Sequence, residues 1–239
     1  MGIQLLKDRD ALRAHSSRPE NEKIDLTVLA AGSSALIRHA ISGHPDSLVL
    51  VSSFGSDSAA LLHLVATIDP SLPIIFLDTG RHFPETLAYV DTLKQRLGFT
   101  NLRRIRPSDE DIATLDPDGL RAKYDPDGCC DLRKVNPLAR SLEPFDAWIS
   151  GRKRFQSATR QSICEVEQDG RRLKYNPMAA WSSADISAYR RAHDLPQHPL
   201  IAKGFLSIGC APCTTVVLPG EDQRSGRWRG LKKTECGIH

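Results

Sequence analysis

Five of the six cysteines in this 239-residue chain fall where they could do chemistry. Cys236 lies three residues from the terminal His239, within Glu235-Cys236-Gly237-Ile238-His239 and behind Arg229, Lys232 and Lys233. Nearby positive charge favours the thiolate, which is the nucleophilic form of a cysteine. A flanking glycine and a chain end leave this thiol free to move; the plain alternative is a frayed terminus with an incidental cysteine. Cys129-Cys130 and Cys210-Ala211-Pro212-Cys213 add four thiols in two pairs, a donor set of the kind that holds zinc or an iron–sulfur cluster. Adjacent cysteines point in different directions, which is awkward for one zinc ion, whereas a cubane cluster offers separate iron atoms. Unrelated buried cysteines are the alternative. Cys164 has no companion and is expected to pack rather than react.

A second group of residues could bind an anion. Ser52-Ser53-Phe54-Gly55-Ser56-Asp57-Ser58 follows an apolar strand, Ser47 to Val51, and precedes a helical pattern from Ala59 to Ile68. A strand, a small-residue loop and a helix present free backbone N–H groups to an anion. The loop is poor in glycine and could be an ordinary strand-to-helix turn, but Leu77-Asp78-Thr79-Gly80 ends the next strand in the corresponding place. Lys134 follows Cys130 on what reads as one helix, and Arg224-Ser225-Gly226-Arg227 follows the second cysteine pair. Arginine holds sulfate or phosphate oxygens two at a time; a solvated basic surface is the alternative. His63, His193 and His198 read as structural, and His82, which could lie near a bound nucleotide, carries no assignment.

The elements that must position these residues follow from periodicity. A helix is expected over Ile24 to His44, and strands over Ser47–Val51, Pro73–Asp78, Asn101–Arg106 and Ala147–Ser150. Pro84 opens a helix with Leu87, Val90, Leu93 and Leu97 on one face and Gly98 at its end. Strands alternating with helices predict an α/β fold with a parallel sheet, whose ligands bind beyond the carboxyl ends of the strands. Asp109 to Gly128 reads as loop, its two Asp-Pro-Asp-Gly sequences as turns. A further helix runs from Ser182 or Ser183 through Ala192, and Leu195 to His239 is irregular. No linker demands two domains: 1–45 is an N-terminal helical region, 46–218 the α/β core and 219–239 a C-terminal tail.

Composition is that of a globular protein, 40% hydrophobic and 26% charged. A net charge of +3 is too small to indicate nucleic acid. The basic stretches Arg152-Lys153-Arg154, Arg171-Arg172 and Arg224 to Lys233 suit a small polyanion equally well. No apolar run is long enough to cross a bilayer, and Met1 to Glu20 lacks the apolar core of a signal peptide. The expected compartment is the cytoplasm, where cysteines serve as metal ligands or redox groups rather than structural disulfides.

From about Ser47 onward the chain resembles the assimilatory sulfonucleotide reductases, the adenylyl-sulfate (APS) and phosphoadenylyl-sulfate (PAPS) reductases. The motifs that carry this are Ser52-Ser53-Phe54-Gly55, Leu77-Asp78-Thr79-Gly80, Phe83-Pro84-Glu85, Gly151-Arg152 with Gln156-Ser157, His198-Pro199-Leu200, Ser207-Ile208-Gly209, Arg224 to Trp228 and the closing pentapeptide. The cysteine pairs resemble the branch that mainly uses APS and carries one 4Fe-4S cluster, here on Cys129, Cys130, Cys210 and Cys213. The fold implied is the PP-loop type of adenine-nucleotide α-hydrolase, a twisted, mainly parallel sheet with helices on both faces and a mobile C-terminal tail. By the same resemblance Ser52, Ser53, Gly55 and Ser58 face the anionic end of the nucleotide, and Leu77, Asp78, Thr79 and Gly80 lie by the adenosine. Gly151 and Arg160 belong to a nucleotide-binding loop, and Lys134, Arg224 and Arg227 hold the phosphosulfate. His239 joins the substrate-binding set, and Cys236 is the nucleophile.

The activity implied is thioredoxin-dependent reduction of APS to sulfite and AMP through a Cys236 S-sulfonate, in sulfate assimilation and cysteine biosynthesis. No membrane or nucleic-acid partner is expected, and a homo-oligomer is compatible with the sequence. Gly55-Ser56-Asp57-Ser58 departs from the Gly-Ala-Glu-Asp of cluster-bearing relatives, and Phe54 stands where the older loop has glycine, a position expected to crowd a pyrophosphate. PAPS use is therefore the main alternative. A PP-loop tRNA sulfurtransferase and a zinc-stabilised nucleic-acid binder are the remoter ones, and neither accounts for Glu235 to His239.

Overall fold

The computed structural model describes residues 25–238. Six strands form one sheet: β1 (Leu48–Val51), β2 (Ile74–Leu77), β3 (Leu102–Ile105), β4 (Ala147–Ser150), β5 (Val166–Asp169) and β6 (Arg172–Tyr175), in the spatial order β3-β2-β1-β4-β6-β5. All pairings are parallel except that of β5 with β6. The central strands β1, β2 and β4 are almost continuously buried runs of apolar residues, as a sheet covered on both faces requires.

One face carries α1 (Leu26–Gly43), α2 (Ser58–Ile68), α3 (Pro84–Leu97) and α8 (Ser183–Ala192), packed over Ile37, Leu50, Leu62, Phe76, Tyr89 and Trp181. The other face is covered by α7 (Asn136–Ser141) over Val49, Ile75, Phe145 and Trp148. Each large side chain so enclosed contributes about 1.5–3 kcal/mol relative to exposure. Helix ends follow local chemistry. Asp25 accepts from Thr27 N–H, Ser182 and Asp185 cap each other's backbone, and Gly98 closes α3 at φ 69°. Among the described residues no helix is long and apolar enough to cross a membrane.

Three differences from the sequence reading have local causes. The β5–β6 hairpin, turned at Gly170 (φ 59°), sits at the sheet edge, where charged residues alternate with apolar ones and no apolar run marks a strand. Asp109 to Gly128 contains the short helices α4 (Asp109–Leu115) and α5 (Arg121–Tyr124) and the start of α6 (Pro126–Cys130). Its second Asp-Pro-Asp-Gly therefore opens a helix, because Asp125 accepts from Gly128 N–H and Pro126 takes the first turn. Cys130 and Lys134 are not on one regular helix: a π turn, Asp131–Val135, separates α6 from α7.

Candidate active site

A cleft opens beyond the carboxyl ends of β1, β2 and β4. The chain leaves β1 toward β2 on one side, while β4 flanks β1 on the other, so the loops part at this point in the sheet. Ser52, Ser53, Gly55 and Ser58 line the cleft after β1, Leu77 after β2, and Gly151 and Arg160 after β4. Lys134, Arg224, Arg227 and Cys236 close it from the other side. His239 lies outside the described residues.

One expectation is corrected by this geometry. Phe54 does not crowd the cleft. Its backbone turns into the left-handed region (φ 50°) and sends the ring, fully buried, against Phe76 at 5.3 Å. Asp78, Thr79 and Gly80 follow Leu77, which lines the cleft, and hold the turn there. The Asp78 carboxylate is buried against Arg106 at 2.7 Å, and although burial alone would raise its pKa, Arg106 and the Gly80 N–H hold it below the usual range. Gly80 makes that turn at φ 67°, and the Thr79 hydroxyl lies 3.3 Å from Cys210 Sγ.

The cations of the cleft divide into two sets. Arg152 pairs with Glu167 at 2.9 Å, Lys153 with Asp57 at 3.3 Å and Arg160 with Glu235 at 2.7 Å. Lys134 and Arg227 pair with no carboxylate among the described residues; Arg227 instead donates to Cys213 O and lies over the Trp228 ring at 4.3 Å. Among the described residues, the cleft cations without a carboxylate partner are thus those on the side of Cys236. Burial opposes a charged Lys134, but the sulfurs of Cys210 and Cys236 raise its pKa above the usual value.

Cys129, Cys130, Cys210 and Cys213 line a smaller adjoining cavity, together with Arg133, Lys134 and Trp228. Among the described residues no three His, Cys, Asp or Glu side chains converge on a single ion position. Burial pushes Cys130 up to about 12 and raises Cys129 and Cys213. Cys210 differs: burial would raise it too, yet Lys134, the Thr79 hydroxyl and Arg227 bring it below the ordinary thiol value. Trp228 Nε1 and Arg133 Nε, both on residues of this cavity wall, are buried without a hydrogen-bond partner.

The tail is seated rather than loose. Cys236 is 9% exposed and packs with Trp228, Cys130 and Ile238, and Lys233 pairs with Asp127. His82 forms part of the cleft wall, its Nε2 2.8 Å from Leu77 O. His198 is buried against Thr86, and His63 and His193 pack around Tyr189, as structural histidines. Cys164 is exposed, contrary to the expectation of packing, because it follows the 3₁₀ turns at the sheet edge. Sequence reasoning missed the pairing of Lys153 with Asp57, the place of Trp228 between the cysteines and the arginines, and the part played by Glu235. Only Glu235 left a signal, its position directly before Cys236.

Residues 47–216 match the family described as the phosphoadenosine phosphosulfate reductase domain. The chain belongs to this family. An adenosine 5'-phosphosulfate reductase of Mesorhizobium japonicum is 55% identical over 194 residues, which cover 81% of this chain and 76% of that protein. A phosphoadenosine 5'-phosphosulfate reductase of Gloeobacter violaceus is 41% identical across 99% of this chain and 100% of its own length. Among solved structures, the PAPS reductase of Candida auris in its phosphate complex superposes with a TM-score of 0.66 at 24% identity, covering 84% of this chain and 100% of that one. Candida glabrata FMN adenylyltransferase with FAD and pyrophosphate gives 0.59 at 15% identity, over 85% and 70%. These likenesses bear out the fold expected of the reductase family, a mainly parallel sheet between helical layers.

Proposed function

We propose that this protein reduces adenosine 5'-phosphosulfate to sulfite and AMP, with Cys236 as the nucleophile. The observation that carries the reading is the burial of Cys236 in the cleft that also holds Lys134 and Arg227, which pair with no carboxylate among the described residues. An anionic thiolate approaching an anionic sulfate group needs preorganised positive charge at that place. The Cys236 thiolate attacks the sulfur of the sulfate–phosphate anhydride. A sulfur–oxygen bond breaks, AMP leaves with the electron pair, and a Cys236 S-sulfonate forms. A dithiol protein, in our reading thioredoxin, then attacks the Cys236 sulfur and expels sulfite as the two-electron product. Its second thiol resolves the mixed disulfide and returns the Cys236 thiol. The tail must leave the cleft for that second half.

The smaller cavity fits a 4Fe-4S cluster better than one zinc ion. Its four thiols line one cavity without converging on a single ion position, and a bound cluster would offer sulfur acceptors to the N–H groups of Trp228 and Arg133 on the same wall. When bound, such a cluster would tie Cys129-Cys130 to Cys210 and Cys213. Lys134, in the π turn after Cys130, is the cleft cation that those ligands would hold in place. In support of APS over PAPS, Arg152 and Lys153 are matched by Glu167 and Asp57 while Arg160 and Arg224 share Glu235, which leaves these four cations with one net charge for another phosphate. The Gloeobacter relative favours the second reading, PAPS use.

One experiment tests the first half of the reaction and the choice of nucleotide. The protein is incubated with APS, and separately with PAPS, without reductant, and its intact mass is measured. A sulfonate-sized adduct absent from Cys236→Ser is expected, forming faster with APS. No adduct from either nucleotide would end the proposal.

A further inference from the structure

We infer that Glu235 is a positioning residue, whose ion pair with Arg160 seats Cys236 over the bound nucleotide. This rests on the nucleophilic role of Cys236 given above. Arg160 grips the carboxylate at both ends, Nε donating to Oε1 and Nη2 to Oε2, each at 2.7 Å. The Ser157 and Thr159 hydroxyls lie 3.3 and 3.4 Å from Oε1, and Arg224 reaches Oε2 at 3.4 Å and Thr234 O at 2.7 Å. Arg160 is itself only 5% exposed and is oriented by Gln156 Oε1 at 2.6 Å. Two-pronged, charge-assisted pairing of this kind fixes direction as well as distance.

Arg160 was expected to bind nucleotide, but its fork is filled by the tail. An anion taking Arg160 would have to expel Glu235, and Cys236 is the very next residue, its Cα about 3.8 Å along the chain. Expelling Glu235 would therefore carry the nucleophile away as its target arrives. The economical arrangement keeps Glu235 on Arg160 throughout sulfur transfer and leaves the substrate to Lys134 and Arg227. On the far side of Cys236, Gly237 turns the chain at φ 80°, where an added Cβ would come within 3.1 Å of Val135, and Ile238 packs beside Cys236. The sulfur is thus held by an ionic contact before it and an apolar one after it. The ionic contact is the one that solvent can replace when the tail must leave.

The test follows iodoacetamide alkylation of Cys236 by peptide mass in the full-length protein with its native metal content, for wild type, Glu235→Gln and Glu235→Ala, with and without AMP. Loss of the ion pair is expected to speed Cys236 alkylation by about tenfold or more. AMP binding should stay within about twofold of wild type if Glu235 keeps the Arg160 fork throughout, whereas S-sulfonate formation should slow with the alkylation change. Unchanged alkylation in Glu235→Gln would overturn the inference. So would AMP raising wild-type alkylation to the variant's rate, because Glu235 would then be a stand-in that the phosphate displaces. Failure of wild type to form an S-sulfonate would sink the proposed function alone, since the alkylation comparison reads the tether without turnover.

Discussion

Asp116 and Arg133 form a buried ion pair: Arg133 Nη2 lies 2.5 Å from Asp116 Oδ2, and both side chains are at most 5% exposed. Arg133 also donates to Thr79 O at 2.8 Å, so one guanidinium joins the loop after β2 to the π turn that carries Lys134. Removing one partner leaves the other charge buried and unmatched. Asp116→Ala should lower stability by about 3–5 kcal/mol, read as a shift in the urea midpoint at unchanged slope. A loss under about 1 kcal/mol would mean that the turn is held by other contacts.

Lys134 is expected to act on the transition state. Lys134→Ala should slow S-sulfonate formation by about 10²–10³-fold, the cost of losing one preorganised charge. AMP affinity, measured by calorimetry, should move far less. Equal losses in both would place Lys134 in ground-state binding instead.

His198 gives the stability a pH dependence with a definite sign. Burial pushes its pKa from 6.5 down to about 4. Between those values the unfolded chain binds a proton that the folded chain does not, so folding is weakened as pH falls through that window. The contribution is complete above about pH 6.5 and reaches about 3 kcal/mol. Urea unfolding at pH 7 and pH 5 should differ in wild type and differ less in His198→Gln.

Two glycines should respond oppositely to alanine. A Cβ on Gly226 would stand 2.2 Å from the backbone oxygen of Thr215, which cannot step aside without moving Arg224 and Arg227. Gly226→Ala should therefore cut S-sulfonate formation by about tenfold or more, in line with the sensitivity of reactions to misplacement. Gly32 is exposed within α1 and has open space around it, so Gly32→Ala should stabilise by about 0.5–1 kcal/mol. Thermal unfolding and the adduct assay separate the two effects.

The legible parts of the molecule were those whose signal is local. β1, β2 and β4 declare themselves as apolar runs bounded by turn residues, and Pro84 and Gly98 bracket α3. The cysteine pairs and the terminal pentapeptide stand out by residue type, and the structure puts the pairs around one cavity and Cys236 in the adjoining cleft. What stayed hidden were pairings across long stretches of chain, such as Asp57 with Lys153, 96 residues apart, and Arg160 with Glu235, 75 apart. No periodicity encodes such contacts; they arise when the loops after β1 and β4 and the tail converge. The β5–β6 edge hid for a different reason, since half-solvated charged strands lack an apolar signature.

The buried ring of Phe54 couples the serine loop to the hydrophobic interior. A non-glycine residue at φ 50° is held there at a cost that its packing against Phe76 and Phe99 must outweigh. The floor of the cleft is therefore stiffened from beneath, by aromatic residues buried behind its wall. Trimming Phe99 would disturb recognition without altering one polar group, and warming should blunt affinity before the sheet itself gives way. On the function proposed here, the fidelity of the anion site is partly a property of its oil.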